Sequence, residues 1–230
     1  MKILKTAMIF VFLVFLQNNI FAGVLVDPII PDGEKITYIT RAGSTSFFVD
    51  ETISIEQYHG QQTYKIITNS NIENKVIRLE KETMDVISTD IINKFLEGTT
   101  ESGLIVISKK PEMKKNELLL ADFTVLQYVL RGFPFEKAKS IKIRTFRRHK
   151  DKGYTMTARV VKKEKLKVNK KLYECFKIEF ALNGFWSNVI PKTYFWYYAQ
   201  PPHYLVKYEG SDGLPGSPMR VVEMQEYSAQ

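Results

Sequence analysis

Run after run of this chain alternates apolar and polar residues with a period of two, and no other feature constrains its fold as strongly. In Thr52–Tyr58, Ile53 and Ile55 alternate with Thr52, Ser54 and Glu56, and in the next run Tyr64, Ile66 and Thr68 share a face. His59-Gly60 between them reads as a hairpin turn. Asn74–Glu82 continues the meander. Ser140–Phe146 sets Ile141 and Ile143 against Lys142 and Arg144. After an Asp151-Lys152-Gly153 turn, Tyr154, Met156, Ala158 and Val160 face one way. Leu172–Leu182 is the most regular, with Leu172, Phe176, Ile178, Phe180 and Leu182 inward and Lys177 and Glu179 outward. Successive strand side chains point to opposite faces, so each pattern describes a strand with one wet face, as in antiparallel sheets.

Two stretches depart from that rhythm. In Leu118–Phe133, Asp122 stands where an N-cap belongs, Arg131-Gly132 supplies a cation and a stop, and Phe123, Leu126 and Leu130 form a stripe at helical spacing. The weaker helical candidate is Asp85–Gly98, ended by its glycine. Both stripes read as core-facing.

At the N-terminus, Lys2 and Lys5 precede an apolar run of 11 residues, Thr6–Leu16, and a polar-to-small stretch ending at Ala22. This is the layout of a cleaved export signal, and the run falls well short of the ~20 residues that span a bilayer. Residues 1–22 are therefore expected to be a signal peptide and 23–230 a single β-rich domain in the periplasm. With one cysteine, Cys175, no intrachain disulfide can form, so stability must come from strand pairing and burial. Charge is uneven: Lys139–Lys171 holds 14 Lys and Arg against two acids, Asp151 and Glu164, within a chain of net charge +8.

Tests for chemistry find little. The histidines His59, His149 and His203 lie far apart, so neither a metal site nor a cofactor is expected. There is no nucleophile elbow, phosphate loop or zinc-protease motif, so no catalytic residue is assigned and no enzyme activity is expected. Asp27, Asp32 and Glu34 read as surface acids. The basic block, including Arg144, Arg147, Arg148, Lys162, Lys163 and Lys165, has two readings. One is a solvated sheet face with edges blunted by lysine. The other is a docking surface for an anionic envelope partner, with nucleic acid set aside because an exported protein rarely meets it.

Lys192–Gly210 is the aromatic extreme. Tyr194, Trp196 and Tyr198 share one face and Phe195 and Tyr197 the other, and Pro201-Pro202 must end the strand. Apolarity on both faces is explained if the sheet curves and a helix covers part of its concave side. The uncovered part would be a cavity for a lipid, acyl chain or other apolar ligand. The expected class is mainly β (β-rich α+β), a strongly curved antiparallel sheet or half-barrel with one or two concave-side helices. Its ligand wall would be Phe176, Phe180, Tyr194, Trp196 and Tyr198, with Phe123 and Leu126 as a lid.

Four segments carry a resemblance. They are Gly33-Glu34 with Tyr38, Asp122 with Tyr128-Val129-Leu130-Arg131, the strand Tyr173–Glu179, and Phe195–Gly210. Together they resemble the DUF3108 family of exported bacterial proteins of unknown function. That resemblance implies a curved sheet similar in style to the LolA and LolB lipoprotein carriers, and with it an apolar-ligand role. The alternative is an envelope interaction or assembly protein that binds a protein or anionic glycan through the basic face.

Overall fold

A computed structural model describes residues 25–93, 102–106, 117–120, 125–145, 155–184, 191–211 and 218–229. The first strands are β1 (Glu34–Ala42), β2 (Thr45–Tyr58), β3 (Gln61–Ser70), β4 (Glu73–Glu80), β5 (Val86–Asn93), β6 (Ser102–Val106) and β7 (Glu117–Leu120). A short helix, α1 (Leu126–Val129), runs on into a 3-10 turn, Leu130–Gly132. Then come β8 (Ser140–Thr145), β9 (Thr155–Val168), β10 (Lys171–Leu182), β11 (Thr193–Tyr198), β12 (Leu205–Ser211) and β13 (Met219–Ser228). Among the described residues, no helix is long and apolar enough to cross a membrane.

The 13 strands of the described residues form one sheet in the order β6-β5-β4-β3-β2-β1-β13-β12-β11-β10-β9-β8-β7. Two meanders are joined where β1 pairs with β13. Neighbours are antiparallel except β7 and β8, which are parallel. The alternation is realised directly: Tyr64, Ile66 and Thr68 of β3 are buried, and so are Ile141 and Ile143 of β8. The β2–β3 hairpin turns at His59 and Gly60, with φ of 50° and 82°, the double positive φ that suits a twisted two-residue turn.

Hydrogen bonds to the helix establish the curvature. Tyr128 Oη donates to Glu51 of β2, and Tyr197 Oη of β11 donates to the Gln127 carbonyl. Four strand spacings separate β2 from β11 in the sheet order, about 19 Å if the sheet were flat. A four-residue helix is only about 6 Å long, so both strands reach it only because the sheet wraps round it. The mainly β half-barrel class is thereby observed, and among the described residues one helix lies on the concave side.

The 3-10 turn is anchored by a buried ion pair. Arg131 Nη1 donates to Glu34 Oε1 at 2.7 Å and Nη2 to Oε2 at 3.0 Å. Arg131 Nε donates to the Pro202 carbonyl at 3.0 Å, tying the turn to the β11–β12 connection as well. Glu34, read from sequence as a surface acid, is fully buried. Gly132 follows, where a Cβ would lie 2.5 Å from the Val26 carbonyl oxygen. Only glycine permits that approach, which the Val26 N–H to Gly132 carbonyl bond of 2.8 Å exploits.

Both helical expectations are corrected. Val86–Asn93 is strand β5, paired along its length with β4. Its β-branched residues favour a pleated surface, and its place between β4 and β6 continues the meander. Within Leu118–Phe133, Glu117–Leu120 is strand β7, and the helix is confined to Leu126–Val129 and its 3-10 extension. All four β7 residues are buried, so its unbroken apolar run has no wet face to betray a period. Asp122 and Phe123 lie outside the described residues.

Candidate functional site: a cavity on the concave face

The concave face is filled at one end and hollow at the other. Beside the 3-10 turn, the Phe135 ring stacks on Phe176 with centroids 5.0 Å apart and tilts against Tyr197 at 5.5 Å. On the other side of α1 the face opens into a cavity of about 480 Å³, within the ~300–1,000 Å³ range of small-molecule sites.

Strand register explains its walls. Phe47 pairs with Thr40, Thr40 with Val222, Val222 with Tyr208, and Tyr208 with Phe195. Residues directly opposite in a sheet share a face, so these five make one band across β2, β1, β13, β12 and β11. Phe180 and Thr193, themselves paired, extend the wall toward β10. Leu126 closes the cavity from α1.

At its inner end the cavity is polar. Glu51, 4% exposed, lines it. Tyr128 Oη donates to Glu51 Oε1 at 2.5 Å, and Gln127 Nε2 donates to the same oxygen at 3.1 Å. Among the described residues, no hydrogen bond ends on Oε2. Burial pushes the Glu51 carboxyl up to about 7, against the opposing pull of the Tyr128 hydrogen bond and the Arg131 charge. The Tyr128 phenol is raised well above its usual range by burial and by the Glu51 charge. Thr68 and Lys75 continue the Glu51 row across β3 and β4, and Lys75 Nζ is held 2.6 Å from Glu73 Oε1. Arg220 lines the cavity from β13.

The expected ligand wall is divided by this geometry. Leu126 and Phe180 line the cavity. Phe176 lies on the same face but is consumed by the Phe135 stack. Lys177 pairs with Trp196 and Glu179 with Tyr194, on the opposite face from the Ile178–Phe195 pair. Trp196 is 5% exposed there, its Nε1–H donating to Glu164 at 2.9 Å beneath the Lys177 and Lys207 side chains. Tyr198 pairs with Cys175 and stacks on Tyr204 at 4.9 Å, outside the cavity. The aromatic that reaches the cavity from β11 is Phe195.

The basic residues are spread out too. Lys162 pairs with Lys177, and Lys163 with Phe176, so these two neighbours point to opposite faces. Lys162 bridges to Glu164 at 2.8 Å, Lys163 to Glu174 at 3.4 Å, and Arg144 to Glu117 at 3.1 Å. Lys165 pairs with Glu174 across the strands. Arg147 and Arg148 lie outside the described residues.

Reading from sequence missed Glu51 and Tyr208 as wall residues. A signal for Glu51 was present: it interrupts the apolar series Phe47, Val49, Ile53 and Ile55 on one face of β2. A carboxylate in an apolar register is costly to bury unless partnered, and so marks a polar site within a core.

Fold and site together define a half-barrel with a cavity between its helix and its sheet. No family model matches the chain, and no curated protein matches it. Similar solved structures include a β-barrel-like DUF1849 protein from Brucella abortus, with a TM-score of 0.42 and 10% identity over 91% of this chain and 100% of that one. Another is a protein with a YmcC-like fold from Bacteroides fragilis, with a TM-score of 0.38 and 9% identity over 89% and 99%. A DUF1329 family protein from Desulfovibrio piger has a TM-score of 0.32 and 9% identity over 88% of each chain. At these scores the likeness carries no functional inference.

Proposed function

We propose that this is a non-enzymatic periplasmic binding protein that holds an apolar small molecule or acyl chain in the concave cavity. One observation carries the reading: a hollow of about 480 Å³ persists beside a core that is otherwise close-packed, walled by Phe47, Val49, Leu126, Phe195, Tyr208 and Val222. The hollow is a partly open cleft of the size that ordinarily holds a small molecule. Lys2, Lys5 and the apolar run Thr6–Leu16 support export. Kinship with the DUF3108 family, on the four segments named above, belongs to the same proposal. Burial pushes the Cys175 thiol up to about 12, and a thiol held protonated is a poor nucleophile.

The test is uptake of Nile red, a neutral apolar fluorophore. The wild-type chain is expected to bind it saturably, and Val222→Trp, which fills the middle of the wall, to weaken binding by about tenfold or more. Equal binding by the two proteins overturns the reading.

A further inference from the structure

The cavity has a largely apolar sheet wall and, at Glu51, a buried acid, and the acid selects which molecules fit. We propose that Glu51 receives the hydrogen-bond-donating head of the ligand, so that the cavity takes alkyl chains ending in a hydroxyl or ammonium group and discriminates against those ending in a carboxylate. This rests on the binding role proposed above and names its ligand class.

Three observations lead there. Glu51 is buried yet lines the cavity, so whatever fills the hollow meets its carboxyl group. Its two hydrogen bonds among the described residues, from Tyr128 and Gln127, both end on Oε1. Oε2 is not sealed in the core and has acceptor capacity to spare for a donor entering the cavity. The groups around the carboxyl also set its preference. Tyr128 and Gln127 approach from α1, Arg131 acts from the 3-10 turn, Glu34 from β1 and Lys75 from β4. Arg131 is committed to Glu34 by two hydrogen bonds, and Lys75 to Glu73 at 2.6 Å. A carboxylate head beside Glu51 would place two like charges in a poorly hydrated pocket, whereas an alcohol or ammonium supplies a donor.

Displacement of bound Nile red by decanol, decylamine and decanoate at about pH 8 tests this, because the three share one chain and differ only in the head. Decanol and decylamine are expected to displace the probe at concentrations about tenfold below decanoate, a difference of about 1.4 kcal/mol. In Glu51→Gln, which keeps the side-chain shape, the advantage of decylamine should shrink to under about threefold. If decanoate displaces the probe as readily as the other two, the head lies at the Lys75 and Arg220 side of the cavity and the proposal is overturned. The wild-type ranking decides this even if the variant fails to fold. Failure of Nile red to bind at all removes the cavity reading, and this one with it. Probe binding with decanoate ranked first removes the head-group assignment alone.

Discussion

Arg131 and Glu34 form a two-armed ion pair in the core, with Nη1–Oε1 at 2.7 Å and Nη2–Oε2 at 3.0 Å, Glu34 wholly buried and Arg131 2% exposed. The pair joins the first strand to the turn after the helix, 97 residues on. The helix forms one wall of the cavity, and this contact ties the turn that follows it to β1.

Breaking the pair should be expensive. Arg131→Met leaves Glu34 charged and without its partner, and should cost about 3–5 kcal/mol of stability, read as a fall in the urea midpoint. Replacing both partners together, Glu34→Gln with Arg131→Met, should recover most of that loss, because no uncompensated charge remains. A single variant costing under about 1 kcal/mol would show that the pair does not hold the helix.

Glu51 makes stability depend on pH in a definite direction. Its folded-state value of about 7 lies above the ordinary 4.5, so between those values the folded state binds the proton more tightly than the unfolded chain. Stability therefore falls as pH rises through that window, and the full cost is present above it. Glu51→Gln escapes this. Its stability relative to wild type should grow by about 2–3 kcal/mol between about pH 5 and about pH 8, measured as the difference in denaturation midpoints. A pH-independent difference would mean that Glu51 keeps an ordinary carboxyl.

The aromatic hairpin divides into a cavity face and a packing face. Trp196→Ala should lose about 3 kcal/mol of stability and leave Nile red affinity within about twofold. Phe195→Ala should weaken the probe by about fivefold or more, through lost apolar contact with the occupant. Fluorescence titration at a temperature where both variants are folded separates the two effects. Equal losses of affinity would contradict the division of faces.

Much of this was legible because alternation is local. Tyr64, Ile66 and Thr68 declare their shared face within five residues, and Phe176 and Ile178 of β10 do so too. Leu172, read as inward, is nonetheless exposed, and Glu179, read as outward, is buried. The face of β11 was not legible, since aromatics lie on both sides. It is decided by register, with Phe180 opposite Thr193 and Ile178 opposite Phe195, and register is a relation between strands. A wall drawing on both Phe180 and Trp196 is excluded by that pairing. The helix was over-read for a similar reason: Leu118-Leu119-Leu120 has no period of its own, and only its pairing with β8 makes it a strand. Glu34 and Arg131 each stood in a segment carrying the DUF3108 resemblance, but nothing in the linear sequence joins them.

Cys175 should be inert. It is fully buried and burial raises its thiol to about 12, so a thiol reagent at neutral pH should label it only as fast as the protein opens, and at once in denaturant. Rapid labelling of the native protein would contradict the packing of β10 against β11.

The most direct measurement is native mass spectrometry of the full chain released gently from the envelope of its own cells. The predicted result is a population heavier than the polypeptide by one small apolar molecule, removed by organic extraction and absent from Val222→Trp. Repeated observation of the bare polypeptide mass, from protein that is folded and never exposed to detergent, would contradict a ligand-holding cavity.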